Sequence, residues 1–144
     1  MARIRLEMPE TFIFSCSIPV RITDINYGNH VGNDSFISII HEARILWLAQ
    51  HQFSEINIER RTGLIMADLA IEFKSESFYG DVIKINIAVA ALTKVSFDIY
   101  YLLSATRKDR TVLLANAKTG MVCYDYEKKK VAAVPESLLK LMEH

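Results

Sequence analysis

One stretch limits the folds open to this chain more than any other. Ser35 to His51 places Phe36, Ile39, Ile40, Ala43, Leu46 and Trp47 at steps of three and four residues, a period that only a helix holds over such a length. Ile37, Ile45 and Leu48 widen the apolar set beyond one stripe, which predicts cover on more than one side. Asn33, Asp34 or Ser35 can each accept a hydrogen bond from a free N–H of the first turn, so a side-chain cap is expected there.

The rest of the chain reads mainly as extended runs. Phe12 to Ile22 carries Phe12, Phe14, Cys16 and Ile18 on one parity, with Pro19 pointing to an edge position or a bulge. After a polar connection from Gln52 to Thr62, Ile65, Ala67, Leu69, Ile71 and Phe73 alternate with Met66, Asp68, Ala70, Glu72 and Lys74. Tyr79-Gly80-Asp81 marks a turn before Val82 to Ala91. Val95 to Ala105 follows, Arg107 to Arg110 makes a polar hairpin, and Thr111 to Tyr124 returns with Gly120 as the expected bulge. Pro135 opens a short helix carrying Leu138, Leu139 and Leu141. Short connections between the later strands leave no room for parallel crossovers. The expectation is an α+β fold, an antiparallel five-stranded sheet wrapped around one long central helix, with a short C-terminal helix.

Composition narrows the function. The chain has 144 residues, 51% of them hydrophobic, enough for one substantial core, so residues 1–144 are expected to form a single domain. Its 17 basic and 17 acidic residues cancel, which argues against nucleic acid or an acidic membrane as partner. Cys16 and Cys123 form no C-x-x-C, no leader-like segment opens the chain, and no apolar run approaches a membrane span; a cytoplasmic location is expected. The four histidines show no metal-ligand spacing, so no metal is expected. Glu143 and His144 are set aside from the fold argument.

The stretch VRITDINYGNHVGNDSFISIIHEARILWL, Val20 to Leu48, resembles the hotdog-fold thioesterases of the 4-hydroxybenzoyl-CoA thioesterase type. Their opening motif runs approximately R-x-x-D-x-D-x-x-G-H-V-N-N before a helix that often carries E-A-R. Arg21, Asp24, His30, Val31, Asn33, Ala43 and Arg44 fall in register with it, without a gap. GLIMADLAIEF (63–73), YGD (79–81), KVSF (94–97), AKTGMVCYD (117–125) and VPESL (134–138) resemble the family's later segments in order. The resemblance implies a hotdog fold, a homodimer or homotetramer, and hydrolysis of acyl thioesters of coenzyme A or acyl carrier protein. It implies no cofactor beyond the coenzyme A of the substrate itself.

Thioester hydrolysis needs a polarised carbonyl and an activated water or nucleophile. A helix start offers the first through its unpaired N–H groups and positive dipole end, and the resemblance maps that role to the backbone at Asn33 and Asp34. The second exposes a departure. The family's working carboxylate is the second acid of D-x-D, and Asn26 stands there, an amide that cannot act as a carboxylate nucleophile or an effective base at neutral pH. Asn29 and Gly32 also depart from the motif. His30 is the best replacement base, with Asn26 orienting water or the imidazole; the competing reading is a turn histidine that holds the loop. Asp24 is a second candidate or a structural acceptor for loop N–H groups. Asp68 is either a carboxylate supplied from a partner chain or a solvated strand residue. Lys94 is either a contact for cofactor phosphates or a solvated hairpin residue, while Tyr100 and Tyr101 read as sheet packing. The expected activity is acyl-thioester hydrolysis. A noncatalytic acyl-thioester-binding module and a dehydratase on the same fold are the alternatives.

Overall fold

In the computed structural model, which describes residues 1–59 and 61–142, β1 (Phe14–Pro19) precedes a helix, α1 (Asn33–Gln50). Then come β2 (Thr62–Phe73), β3 (Val82–Ala90), β4 (Ser96–Arg107), β5 (Arg110–Asp125), β6 (Lys130–Val131) and α2 (Glu136–Met142). The sheet order is β1-β3-β4-β5-β2, antiparallel throughout, and the two-residue β6 pairs with the end of β5. The sheet therefore has the five expected long strands and a sixth, too short to leave a period in the sequence. Glu143 and His144 lie outside the described residues, as does Arg60 within the connection before β2.

The helix forms one side of the core. Phe36, Ile39, Ile40, Ala43, Trp47 and Leu48 are buried against the inward residues of the sheet, among them Ile83, Ile85 and Ile87 of β3 and Phe97, Ile99 and Leu103 of β4. The cover is incomplete: Ile37 and Leu46 remain exposed, so the wide apolar set is not fully used within one chain.

Three boundaries differ from the sequence reading. β1 stops at Pro19, and Ile22–Asp24 forms a 3-10 turn because the Asp24 carboxylate draws in the Arg21 N–H at 2.8 Å. Helix α1 starts at Asn33 with Gly32 as its N-cap, and the cap residue makes no side-chain hydrogen bond; the expected Asn, Asp or Ser cap is absent. The bulge lies in β2, between Met66 and Asp68, with Gly120 opposite it rather than carrying it. The extra residue, Ala67, switches parity, so Leu64, Met66, Leu69, Ile71 and Phe73 share the helix-facing side while Ile65 and Asp68 turn away. The β4–β5 hairpin does match its expected place. Lys108 and Asp109 both take positive φ, 49° and 65°, as a two-residue turn that follows strand twist requires.

Candidate active site

The segment from Asp24 to Gly32 is folded by its own polar groups. Asn26 N–H donates to His30 O at 2.9 Å, and Ile25 bridges to Val31. The Asn26 side-chain oxygen accepts the Gly28 N–H at 2.9 Å, with the His30 N–H farther off at 3.4 Å. Asn29 takes φ 64°, a conformation its short amide tolerates in place of glycine. Two longer-range bonds seat the loop: Gly32 N–H donates to Asp24 O at 3.0 Å, and Val31 N–H to Ser77 O at 2.8 Å. The first hydrogen bond onto the helix runs from Phe36 N–H to Gly32 O at 3.1 Å, so the N–H groups of Asn33, Asp34 and Ser35 precede the regular ladder.

His30 is oriented by the same loop. Its Nδ1 donates to the Val31 carbonyl at 3.1 Å, which in the neutral ring leaves Nε2 as the acceptor. That Nε2 and the Asn26 side-chain oxygen both lie 3.3 Å from the point a Cβ on Gly28 would occupy, so the two groups flank one small space. The Glu76 carboxylate stands 3.9 Å from Nε2, beyond hydrogen-bond range. His30, Asn33, Phe36, Phe73, Lys74 and Glu76 line one cavity of about 220 Å³. A larger cleft of about 400 Å³ lies on another flank of α1, among Ile18, Arg21, His41 and Glu42. It holds no part of the helix start, so the smaller cavity is the better candidate for thioester chemistry.

Glu76 escaped the sequence reading, since it sits in a connection with no period and meets His30 only through the fold. That connection is braced from behind. Arg107 donates to both Asp81 carboxylate oxygens, at 3.1 and 2.6 Å, and to the Glu76 carbonyl at 2.9 Å. Ser77 Oγ and the Phe78 N–H add bonds to Asp81 at 2.8 and 3.0 Å. The Arg107 guanidinium leads in holding the Asp81 carboxyl down to about 2, against the opposing effect of burial. A folded-state value below the ordinary carboxylate value means stability that is present near neutrality and lost as pH falls from about 4 toward 2. Asp81→Asn is accordingly expected to lose about 2 kcal/mol at pH 7. The gap from wild type should close across that acid window. Denaturant unfolding at stepped pH measures both, and a constant difference down to pH 2 would remove this linkage.

The other candidates are placed as follows. Asp24 is 4% exposed, and both its carboxylate oxygens are engaged by Arg21. Asp34 lies at the helix start, its carboxylate beside Gly32. Asp68 faces away from α1, paired with Lys118 at 2.9 and 3.1 Å and accepting the Gly120 N–H at 2.8 Å, so within one chain it does not reach His30. Lys94 lies in the β3–β4 connection, at the opposite end of the sheet from the helix start. At about 3.3 Å per strand residue the separation is roughly 25 Å. Neither cysteine is an activated nucleophile: burial pushes the Cys123 thiol up to about 11, and burial, with Glu42 adding to it, raises that of Cys16. Among the described residues no group of three or more His, Cys, Asp or Glu side chains is arranged to hold a metal ion.

A further polar group sits inside the core. Arg44, 5% exposed, donates from Nε to Glu55 at 2.9 Å and from Nη1 to Tyr101 Oη at 3.1 Å; Tyr101 Oη lies 2.8 Å from Thr119 Oγ1. His41 Nε2 meets the other Glu55 oxygen at 2.5 Å. Tyr101 thus packs in the core, as expected, and is also a hydrogen-bonding member of this network. The sequence signal was a charge standing on the buried stripe between Ile40 and Trp47.

A helix wrapped by an antiparallel sheet, with its N-terminus open beside a histidine, defines a hotdog fold of the thioesterase kind. The chain belongs to the thioesterase-like superfamily, whose family model matches residues 20–142. Among solved structures it is similar to a 1,4-dihydroxy-2-naphthoyl-CoA thioesterase from Synechocystis, with a TM-score of 0.80 at 24% identity over 90% of this chain and 94% of that one. It is also similar to an Asp-to-Asn mutant of 4-hydroxybenzoyl-CoA thioesterase complexed with 4-hydroxybenzoyl-CoA, with a TM-score of 0.80 at 18% identity over 90% and 98% of the two chains. A gentisyl-coenzyme A thioesterase matches with a TM-score of 0.77 at 17% identity, over 90% of this chain and all (100%) of that one. No curated protein sequence matches the chain. No helix among the described residues is long and apolar enough to cross a membrane.

Proposed function

We propose that this chain hydrolyses acyl thioesters of coenzyme A or acyl carrier protein, with His30 as the base. The observation that carries the reading is the Nδ1 contact to Val31 O at 3.1 Å, which leaves Nε2 as proton acceptor in the cavity that also holds Asn33. In the reaction, Nε2 takes a proton from water and the hydroxide oxygen attacks the thioester carbonyl carbon. The oxyanion is held by backbone N–H groups at Asn33 and Asp34, where the helix dipole favours negative charge. Collapse breaks the C–S bond, and the departing thiolate takes the proton back from the imidazolium. Glu76 stabilises the charged ring between those steps, and Asn26 holds the loop that aims it.

The site works at the interface of a homodimer. β2 is a sheet edge twelve residues long, with Ile65 and Met66 exposed on it, and Ile37 of α1 is exposed as well. Such an apolar edge is a pairing surface that a soluble chain covers. Pairing of two β2 edges supports a homodimer, and a homotetramer by further association. It would also bring a partner's Lys94 nearer to the helix start than the chain's own.

Thiol release from a panel of short, medium and aromatic acyl-CoAs and acyl carrier protein thioesters tests the hydrolase. Turnover on at least one is expected, and none above buffer on any would overturn it. A second reading is a noncatalytic acyl-thioester-binding module. Asn26 favours it, because its amide oxygen is engaged with backbone N–H groups of the loop and supplies no carboxylate. Tight acyl-CoA binding without thiol release is its signature.

A further inference from the structure

Helix α1 and strand β2 line more than the cavity at the helix start. Beyond the edge-to-face contact of Phe36 with Phe73, ring centres 5.5 Å apart, lies a second cavity of about 220 Å³. Ile37, Ile40, Met66 and Leu69 give it apolar walls, and Ser38, His41, Arg44 and Thr119 line its polar side. Asn33, Ile37, Ile40 and Arg44 follow one another at steps of three and four residues, so they form one stripe along the helix. From Asn33 to Arg44 that stripe is roughly 16 Å long, and helical side chains lean back toward the N-terminus, which shortens the reach to the guanidinium.

Fold stability alone does not explain a charge at this place. A buried ion pair is often matched or bettered by apolar residues of similar size. Arg44 is nonetheless held firmly: Glu55, which receives its Nε–H, is itself pinned where its carbonyl accepts the Leu64 N–H at 2.6 Å. Nε and Nη1 are taken, but Nη2 finds no acceptor among the described residues. A guanidinium with N–H groups unpaired, rigidly placed on the polar side of a cavity whose other wall is apolar, is a recognition device for an oxygen. Because Glu55 already balances its charge, a neutral oxygen suits it better than a second carboxylate.

We infer that Arg44 reads the far end of the acyl group, selecting acyl thioesters that carry a neutral oxygen, hydroxyl or carbonyl, distal to the thioester. This rests on the thioesterase reading for the place of the carbonyl at the helix start, but the preference itself is a property of binding. The experiment therefore has two arms. Kd is measured for nonhydrolysable thioether analogues of hexanoyl-, octanoyl- and decanoyl-CoA, each beside its ω-hydroxy counterpart, and kcat/KM for the matching thioesters. At the best chain length the hydroxylated member should win by about 10-fold or more in both arms, since an apolar end would leave the Arg44 donors unpaired.

Arg44→Met should abolish or reverse that preference. The Arg44→Met/Glu55→Gln double variant, which strands no buried carboxylate, should do the same if the single variant fails to fold. Thr119→Val, which keeps the ion pair, should reduce the preference partially. Equal binding of both members by wild type, preference for a terminal carboxylate, or a preference that survives loss of Arg44 would overturn the inference. Preferential binding without any thiol release would uphold it while sinking the hydrolase.

Discussion

Asn26→Asp is expected to release thiol from acyl-CoA about 10²-fold faster than the wild-type chain, at the low end of what a positioned acid or base contributes. The side chain at position 26 borders the same small space as His30 Nε2, and its oxygen is already engaged with the Gly28 N–H. An aspartate can keep that bond through one oxygen and offer the other, where the amide nitrogen now stands, to water or to the carbonyl carbon. Steady-state kcat on the best acyl-CoA of the panel measures the gain. An unchanged or lower kcat would take position 26 out of reach of the reacting atoms. A wild type with no turnover that acquires it through this one change would identify the binding module instead.

His30→Ala is expected to lower kcat by about 10²- to 10⁴-fold, with KM little affected, since the imidazole is assigned to proton transfer rather than to holding the acyl group. A kcat within a few-fold of wild type would leave His30 as the loop residue that its bond to Val31 O also allows. The two changes should not add. With Asp at position 26, loss of His30 should matter far less, because a carboxylate then stands beside the same water, and a double-mutant cycle reads that coupling directly. Full additivity would place the two residues in separate steps.

How much of this was legible beforehand depended on distance along the chain. Helix α1 and the long strands announce themselves through period, a local property. His30 and Asn33 lie three residues apart, so their meeting at the helix start could be anticipated from one motif. Glu76 reaches His30 only because Val31 hydrogen-bonds to Ser77, a contact 46 residues apart that leaves no periodic trace. Arg44 was visible as a residue of the motif, but its partners Glu55, Tyr101 and Thr119 come from three other segments. Lys94 poses a different problem. Its strand was placed correctly, yet strand order does not say which end of a sheet a hairpin occupies until the register is known. The cap was misread because Gly32 can take the extended conformation of an N-cap, φ −70° and ψ 155°, without offering a side-chain acceptor.

The bulge at Ala67 bears on how such a chain can diversify. Side chains along a strand alternate strictly, so one extra residue would exchange the two faces of everything beyond it unless a bulge absorbs it, as the bulge at Ala67 does. Upstream of Ala67, Leu64 and Met66 point to the helix; downstream it is Leu69, Ile71 and Phe73, the opposite parity. Removing that one residue would bring Met66 next to Asp68 in unbroken alternation, leaving Leu64, Met66, Leu69, Ile71 and Phe73 toward the helix and Asp68 turned away. A lineage could thus gain or lose a single codon at this point and keep the lining of its groove, leaving every other strand in register.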